Sequence, residues 1–207
     1  MSKSAKGRLM LAAVAALTAA VLVATAGAGS RDKQRGGAES ASAKLRNADG
    51  RTVGRVKLRE NRRATVRVNV RARGLQPGFH GFHIHESGVC EAPSKSSEGE
   101  TGDFLSAGGH FKRGAQEHGE HAGDMPPLFV RRNGRTRATF LIDSYRVREL
   151  TKGDGSAIMI HAGRDNAGNI PDRYVSSESG KPGPDEDTLA TGDSGDRVAC
   201  GVARSRR

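Results

Sequence analysis

Aromatic residues are scarce in this 207-residue chain: they make up 4% of it, and tryptophan is absent. Glycine is abundant, with 28 residues. Few aromatics and many glycines suit short strands joined by turns better than packed helices, so the sequence favours an all-β sandwich or barrel. The length fits one domain with an apolar core and leaves little room for a second.

Negative charge is also in short supply, because 23 acidic residues face 34 lysines and arginines, for a net charge of +11. Such a chain is drawn to anions, whether lipid headgroups, nucleic acid, anionic polymers or a small anionic substrate. The alternative is a solvated basic surface that only aids solubility. Charge alone does not choose among these.

The N-terminus has the pattern of an export signal. Three basic residues precede an apolar run over residues 9–26, and small residues follow that suit cleavage. We predict a signal peptide over residues 1–28, a flexible leader over 29–41 and one domain over 42–207, in a secreted or cell-envelope protein. The alternative is an uncleaved membrane anchor, since the apolar run is near the lower length limit for a span; only then would the membrane be a partner.

Cysteine occurs only twice, at Cys90 and Cys200. In an exported chain two cysteines predict an intramolecular disulfide. Two free buried thiols are the alternative.

Strand signals recur along the domain. Val66, Val68 and Val70 alternate with polar residues, which indicates a sheet with one wet face. Two long polar segments, 86–127 and 162–196, interrupt the strands, and loops of that length in a compact domain are usually functional. No helix is predicted except a short turn over 147–151. The predicted strands cover residues 44–46, 52–59, 64–71, 79–85, 128–131, 135–142, 157–161 and 197–202.

All seven histidines fall between His80 and His161. His83 and His85 are one residue apart in a predicted strand, so the period of two puts both imidazoles on one face, where they could chelate one ion. Ordinary strand histidines are the alternative for this pair alone.

The first long segment adds three imidazoles and a carboxylate at short spacing: His110, His118, His121 and Asp124. Three nitrogens and one oxygen suit tetrahedral zinc, and a closed shell of four ligands would hold the loop in place. The alternative is a solvated loop rich in histidine and aspartate.

Four motifs, which occur along the chain in the family's order, resemble the signatures of copper/zinc superoxide dismutases. The resemblance runs from about residue 42 to 202 and implies an eight-stranded Greek-key β-barrel, an immunoglobulin-like sandwich in which the two long segments are the metal-binding and electrostatic loops. The motifs are Gly81-Phe-His-Ile-His-Glu86, Ser106-Ala-Gly-Gly-His-Phe111, His121-Ala-Gly-Asp124 and Arg197-Val-Ala-Cys-Gly201.

The resemblance also implies the metal ligands and their metals. His110 would belong to both metals as a bridging imidazolate, which is reprotonated when copper is reduced and supplies a proton to the outgoing peroxide. His80 would be a structural group behind the copper site rather than a ligand. The implied copper ligands are His83, His85, His110 and His161, and the implied zinc ligands are His110, His118, His121 and Asp124.

Three more residues take roles by resemblance. Asp165 would link the copper and zinc ligands from behind, with an ordinary turn aspartate as the alternative. Arg197 would guide superoxide, the substrate, to the copper, and Thr191 would narrow the channel. A partner that contacts a ligand's free nitrogen fixes its ring orientation, and a guanidinium stays charged at any relevant pH.

The chain departs from the family pattern in three places. The stretch between His118 and His121 is shorter than in typical relatives, which makes zinc less secure than copper. Ala190 stands where many eukaryotic members have a lysine. An insertion at 169–174 resembles bacterial members, whose dimer contacts differ from eukaryotic ones, so a homodimer is a candidate assembly that the resemblance does not settle.

The predicted function is the conversion of superoxide to dioxygen and hydrogen peroxide on a cycling copper ion. A non-enzymatic extracellular copper- and zinc-binding protein of the same fold is the first rival; the two distant cysteines exclude the CxxC transfer motif expected of a copper chaperone. A polycationic surface-binding module is the second. No basic helix or aromatic stacking platform predicts a specific nucleic-acid partner.

Overall fold

The computed structural model describes residues 39–176 and 179–206. The predicted signal peptide and most of the leader lie outside these residues. No helix in the described part of the chain is long and apolar enough to cross a membrane. The strands are β1 (Ser40–Arg46), β2 (Thr52–Glu60), β3 (Val66–Arg73), β4 (Gly78–His80), β5 (Phe82–His85), β6 (Ser94–Lys95), β7 (Thr101–Gly102), β8 (Leu128–Val130), β9 (Arg135–Ile142), β10 (Ala157–His161), β11 (Arg197–Val202) and β12 (Arg204–Ser205), and the helices are α1 (Val147–Leu150) and α2 (Glu186–Thr191).

One sheet carries most of the fold, in the strand order β5-β10-β11-β1-β2-β3-β9, with β12 paired to β1. A second pair, β4-β8, continues it at both ends. Only Gly81 separates β4 from β5, and the Asn133-Gly134 turn joins β8 to β9, with the N–H of Arg131 donating to the Arg135 carbonyl. If β4 and β5 count as one interrupted strand, eight strands run round a barrel, as predicted.

The core lies inside this barrel because the inward residues of the strands alternate with polar ones. Val66, Val68 and Val70 are fully buried, whereas Arg67 between them and Arg71 after them are exposed. The period of two in a strand produces this division. The largest fully buried apolar side chains are Tyr145, Phe82, Leu45, Leu58, Ile84, Leu128, Leu150, Ile158, Met159 and Ile160.

Cys90 and Cys200 form a disulfide, with their Cα atoms 5.6 Å apart, which confirms the predicted pairing. Cys200 lies in β11 and Cys90 in the first long loop. The bond therefore ties that loop to the strand that begins at Arg197.

The two long loops contain short elements that the sequence patterns did not predict. The first has the hairpin β6-β7 and a single 3-10 turn over Leu105–Ala107. The second has α2, which begins after Asp185, whose carboxylate accepts a hydrogen bond from the N–H of Thr188, and ends at Gly192 with a φ of 73°. The helix predicted over 147–151 is present as α1, and β1 begins at Ser40, two residues before the predicted start of the domain.

Candidate metal centre

The histidines are brought together by β5, β10 and the first long loop, which lies along β5 like an added strand. The N–H of Phe111 donates to the Ile84 carbonyl (2.7 Å), and the N–H of Ile84 donates to the Gly123 carbonyl (2.9 Å). A Cβ at Gly123 would lie 2.4 Å from that Ile84 carbonyl oxygen, so the close approach requires glycine. The fit places His110 opposite His85 and Asp124 opposite His83.

The first cluster consists of four buried histidines whose ring nitrogens lie within 4.8 Å of one another: His83, His85, His110 and His161. The Nε2 atoms of His85 and His161 are 3.3 Å apart. Their Nδ1 atoms each lie 2.9 Å from a backbone carbonyl, of Gly108 and Gly195. A carbonyl can only accept, so each Nδ1 carries the proton and each Nε2 offers a lone pair to the cluster.

Two ring nitrogens of this cluster are buried and have no hydrogen-bond partner: Nδ1 of His83 and Nε2 of His110. Buried polar atoms in native proteins almost always have a hydrogen-bond partner, and leaving one without a partner costs about 1–3 kcal/mol. Both atoms belong to the group of converging nitrogens. Four imidazole nitrogens form a donor set that copper accepts, so the residues fit that metal.

The second cluster surrounds the other nitrogen of His110. Its Nδ1 lies 3.4 Å from Nδ1 of His118, 3.4 Å from Nδ1 of His121 and 2.9 Å from a carboxylate oxygen of Asp124. The other oxygen of Asp124 lies 3.5 Å and 3.4 Å from those two Nδ1 atoms. Tetrahedral zinc with bonds of about 2.0–2.1 Å separates its ligand atoms by about 3.4 Å, so the spacing and the donor types fit zinc.

His83 also lies within 4.8 Å of His110, His118 and Asp124. Its Nε2, however, is bonded to Asp165, and its Nδ1 belongs to the first cluster. His121 is therefore the better fourth member of the second cluster.

Asp165 joins the two clusters from behind. One of its oxygens accepts from Nε2 of His118 (2.8 Å), and the other bonds Nε2 of His83. Burial would raise the pKa of Asp165, but the hydrogen bonds from His118 and His83 outweigh it and hold this pKa well below its usual range. An ionised carboxylate keeps a proton on each Nε2 and leaves each Nδ1 free to bind a metal.

Burial favours the neutral form of three histidines of the first cluster, His85, His110 and His161. Burial lowers the pKa of His110 to about 3 and holds the pKa of His85 and of His161 well below the usual value. Burial acts in the same direction on His118, but its hydrogen bond with Asp165 outweighs this and raises its pKa. The neutral imidazole is the form that ligates metals.

A cavity opens over the first cluster, and His110, His161, Thr191 and Arg197 line it. The half-buried guanidinium of Arg197 is fixed by two hydrogen bonds of 2.8 Å, to the carbonyls of Phe104 and Gly108. Burial lowers its pKa from the ordinary value, but arginine stays protonated in proteins. The cavity therefore presents a fixed cation beside the converging imidazoles.

His80 takes no part in either cluster. Its Nδ1 lies 2.6 Å from the His161 carbonyl and its Nε2 2.8 Å from the Gln76 carbonyl. Both nitrogens thus face backbone carbonyls rather than either cluster.

Two contacts at the site were not predicted from the sequence. The carbonyl of Gly108 accepts from both His85 and Arg197, and Gly192 packs against His118 so closely that a Cβ there would lie 2.2 Å from Nε2. A carbonyl leaves no signal in residue types. Gly192 could have been noticed as the glycine that ends a short helix begun by Asp185.

Fold and site together define an all-β metalloprotein with two adjoining clusters of metal-binding side chains that share one histidine. The sequence profile of the copper/zinc superoxide dismutase family (SODC) matches residues 52–203. The chain belongs to the copper/zinc superoxide dismutase family.

Relatives and solved structures agree. The chain is 43% identical to "Superoxide dismutase [Cu-Zn]" of Mycolicibacterium paratuberculosis over 179 residues, covering 85% of this chain and 79% of the relative. It is 43% identical to the protein of that name from Mycobacterium tuberculosis over 186 residues, with coverage of 88% and 77%. The structure of the Cu/Zn superoxide dismutase from Brucella abortus aligns with a TM-score of 0.61 at 28% identity, over 79% of this chain and 99% of that one.

Proposed function

We propose that the chain dismutates superoxide, the activity of its family, at copper held by the first cluster and beside zinc held by the second. The observation that carries these assignments is the position of His110, whose two ring nitrogens face different clusters. The copper ligands are His83, His85, His110 and His161, and the zinc ligands are His110, His118, His121 and Asp124.

Copper, when bound, supplies one-electron redox chemistry: it takes an electron from one superoxide and gives one to the next. His110 would lose both ring protons to serve both clusters. Its Nε2 would hold a proton for the peroxide product, which would take its second proton from solvent. Asp165 keeps the proton of His83 on Nε2, so that Nδ1 remains the ligand atom.

Arg197 is assigned the attraction and placement of superoxide. Its positive charge lies at the wall of the cavity, held by two carbonyls rather than by a carboxylate that would neutralise it. A fixed cation attracts and holds a small anion at short range, beside the imidazoles of the first cluster. The effect is assigned to this local contact rather than to the charge of the whole cavity, because six carboxylates also line it: Asp49, Glu100, Asp103, Asp187, Asp193 and Asp196. Thr191 lines the same cavity and is assigned the narrowing of the entrance.

Pulse radiolysis of the protein loaded with copper and zinc tests this function. We expect copper-dependent loss of superoxide that His83→Ala abolishes and that Arg197→Ala slows at least about tenfold, the lower end of what steering supplies. Arg148→Ala, which removes an exposed charge elsewhere, should leave the rate unchanged. Full copper binding without turnover would instead assign the chain as a non-enzymatic copper- and zinc-binding protein.

The domain assignment completes the proposal: residues 1–28 as signal peptide, 29–41 as leader and 42–207 as the dismutase domain of a secreted or cell-envelope protein. The disulfide supports an oxidising compartment. Mass spectrometry of the exported protein should show a start near residue 29, and a full-length mass in the membrane fraction would favour an anchor. Light scattering on the same sample decides between a monomer and a homodimer.

A further inference from the structure

The outer surface of β1, β2, β3 and β9 is strongly basic. Its outward side chains include ten exposed cations, and the four strands contain a single acidic residue, Glu60, which is buried and paired with Arg146 at 2.8 Å. We call this surface the basic face; its cations are Lys44, Arg46, Arg55, Lys57, Arg59, Arg67, Arg71, Arg73, Arg135 and Arg137.

The register places like charges side by side. Lys44 is opposite Arg55, Arg55 is opposite Arg71, and Arg71 is opposite Arg137, so one row of four cations crosses four strands. Neighbouring strands are about 4.8 Å apart, which sets the spacing of the positive charges. Like charges directly opposite each other destabilise a sheet.

This repulsion is not relieved within the described residues, where no cation of the basic face has an ion-pair partner. The row of like charges therefore destabilises the folded protein when no ligand is bound. It becomes favourable when an external polyanion lies across the strands and neutralises the row.

The row next to the cations has a different chemistry. Ser42, Asn69 and Thr139 share it with Lys57, and the hydroxyl of Thr139 donates to the Asn69 amide oxygen at 3.0 Å. Hydroxyl and amide groups beside a line of cations offer hydrogen bonds to a ligand that carries hydroxyl groups as well as negative charge.

We propose that the basic face is a binding surface for a linear acidic polysaccharide. Anionic groups repeated at roughly the strand spacing of about 5 Å would meet the cation row, and sugar hydroxyls would meet the polar row. A cleft at one end of the basic face is lined by Arg55, Arg71, Arg73, Arg131, Arg135 and Arg137.

Two other polyanions fit this surface less well. None of the outward side chains of the four strands is aromatic, so a nucleic-acid strand would find no stacking platform. Leu141 is the exposed large apolar side chain there, too little to insert into a bilayer, and the convex outside of a barrel meets a planar membrane along one strip only.

The basic face is separate from the metal centre. The clustered side chains come from β5, β10 and the first long loop, and none lies on β1, β2, β3 or β9. Binding of a polymer is therefore a property that can be removed without touching a metal ligand.

The test uses the full, metal-loaded chain and measures binding of dextran sulfate by calorimetry, with unsulfated dextran as the neutral control. Arg55→Gln, Arg71→Gln and Arg137→Gln together should raise the Kd for dextran sulfate at least tenfold. The slope of log Kd against log salt should fall by about 2, taking roughly 0.7 per lost contact as for single-stranded polyanions. Because the triple variant relieves repulsion, its Tm should not fall, which shows that it folds.

The matched control removes three exposed charges elsewhere, by Lys95→Gln, Arg148→Gln and Lys152→Gln. We expect it to change the Kd for dextran sulfate less than threefold. An equal loss in both triple variants would overturn the proposal, because net charge alone would then explain binding. Tighter binding to phosphatidylglycerol vesicles or to single-stranded DNA than to dextran sulfate, at the same salt, would overturn the choice of partner.

Discussion

Replacing Gly192 by alanine tests how closely the second long loop is fitted to the zinc-type cluster. Gly192 ends α2 with a φ of 73°, and the N–H of His118 donates to the Leu189 carbonyl of the same helix at 2.8 Å. A Cβ at position 192 would lie 2.2 Å from Nε2 of His118, whereas ordinary contact begins at 3.4 Å. The ring would have to move by the difference, 1.2 Å.

Such a shift breaks the bond between His118 and Asp165, which is 2.8 Å long in the structure. Loss of a partner behind a ligating histidine lowers metal affinity about 10- to 100-fold, which corresponds to about 1.4–2.7 kcal/mol of binding free energy. Gly192→Ala should weaken zinc binding by this amount, measured by competition with a chelator of known affinity.

Gly74→Ala is the matched control. Gly74 has the same φ of 73°, but nothing lies within 4 Å of its missing Cβ. Both variants should lose about 1–2 kcal/mol of unfolding free energy in the metal-free protein from the left-handed backbone. Only Gly192→Ala should lose zinc affinity, and equal zinc affinities in the two variants would refute the reasoning.

Three further substitutions have expected outcomes. Asp165→Asn should lower the affinity for at least one metal about 10- to 100-fold, as measured by chelator competition. The amide oxygen can accept from only one of the two histidines, so the other histidine must move its proton to the nitrogen that faces the metal. Asp196→Asn, in the same loop but exposed, should leave the metal affinities unchanged. Arg197→Lys should keep more activity than Arg197→Ala, since it retains the charge but not the fork that two carbonyls fix; equal stopped-flow rates would contradict this. Cys90→Ala with Cys200→Ala should cost about 4.8 kcal/mol of unfolding free energy in denaturant titration, the chain-entropy value for a sequence separation of 110; a loss under about 1 kcal/mol would contradict that model.

The barrel was predictable from the sequence because its strands alternate with a period of two. The same rule that buries Val66, Val68 and Val70 directs His83 and His85 to one side of β5. The disulfide followed from two cysteines in a chain with an export signal. These features depend on local spacing or on composition, which a single sequence displays.

The rest of the site depends on long-range contacts that residue types do not display. The carbonyl of Gly108 orients His85 and Arg197 only because the first long loop lies along β5. The helix α2 has six residues, too few for an apolar period to appear, although Asp185 and Gly192 are suitable residues for its two ends. In the loops, therefore, the metal-ligand candidates were predictable from residue types, whereas the backbone contacts that orient them were not.

Diffraction at the copper and zinc absorption edges, from crystals of the protein loaded with both metals, tests the shared histidine most directly. Two ions should lie on either side of one imidazole, with copper bonded to Nε2 of His110 and zinc bonded to its Nδ1. An ion at only one of these positions, or His110 bonded to neither metal, would contradict the account.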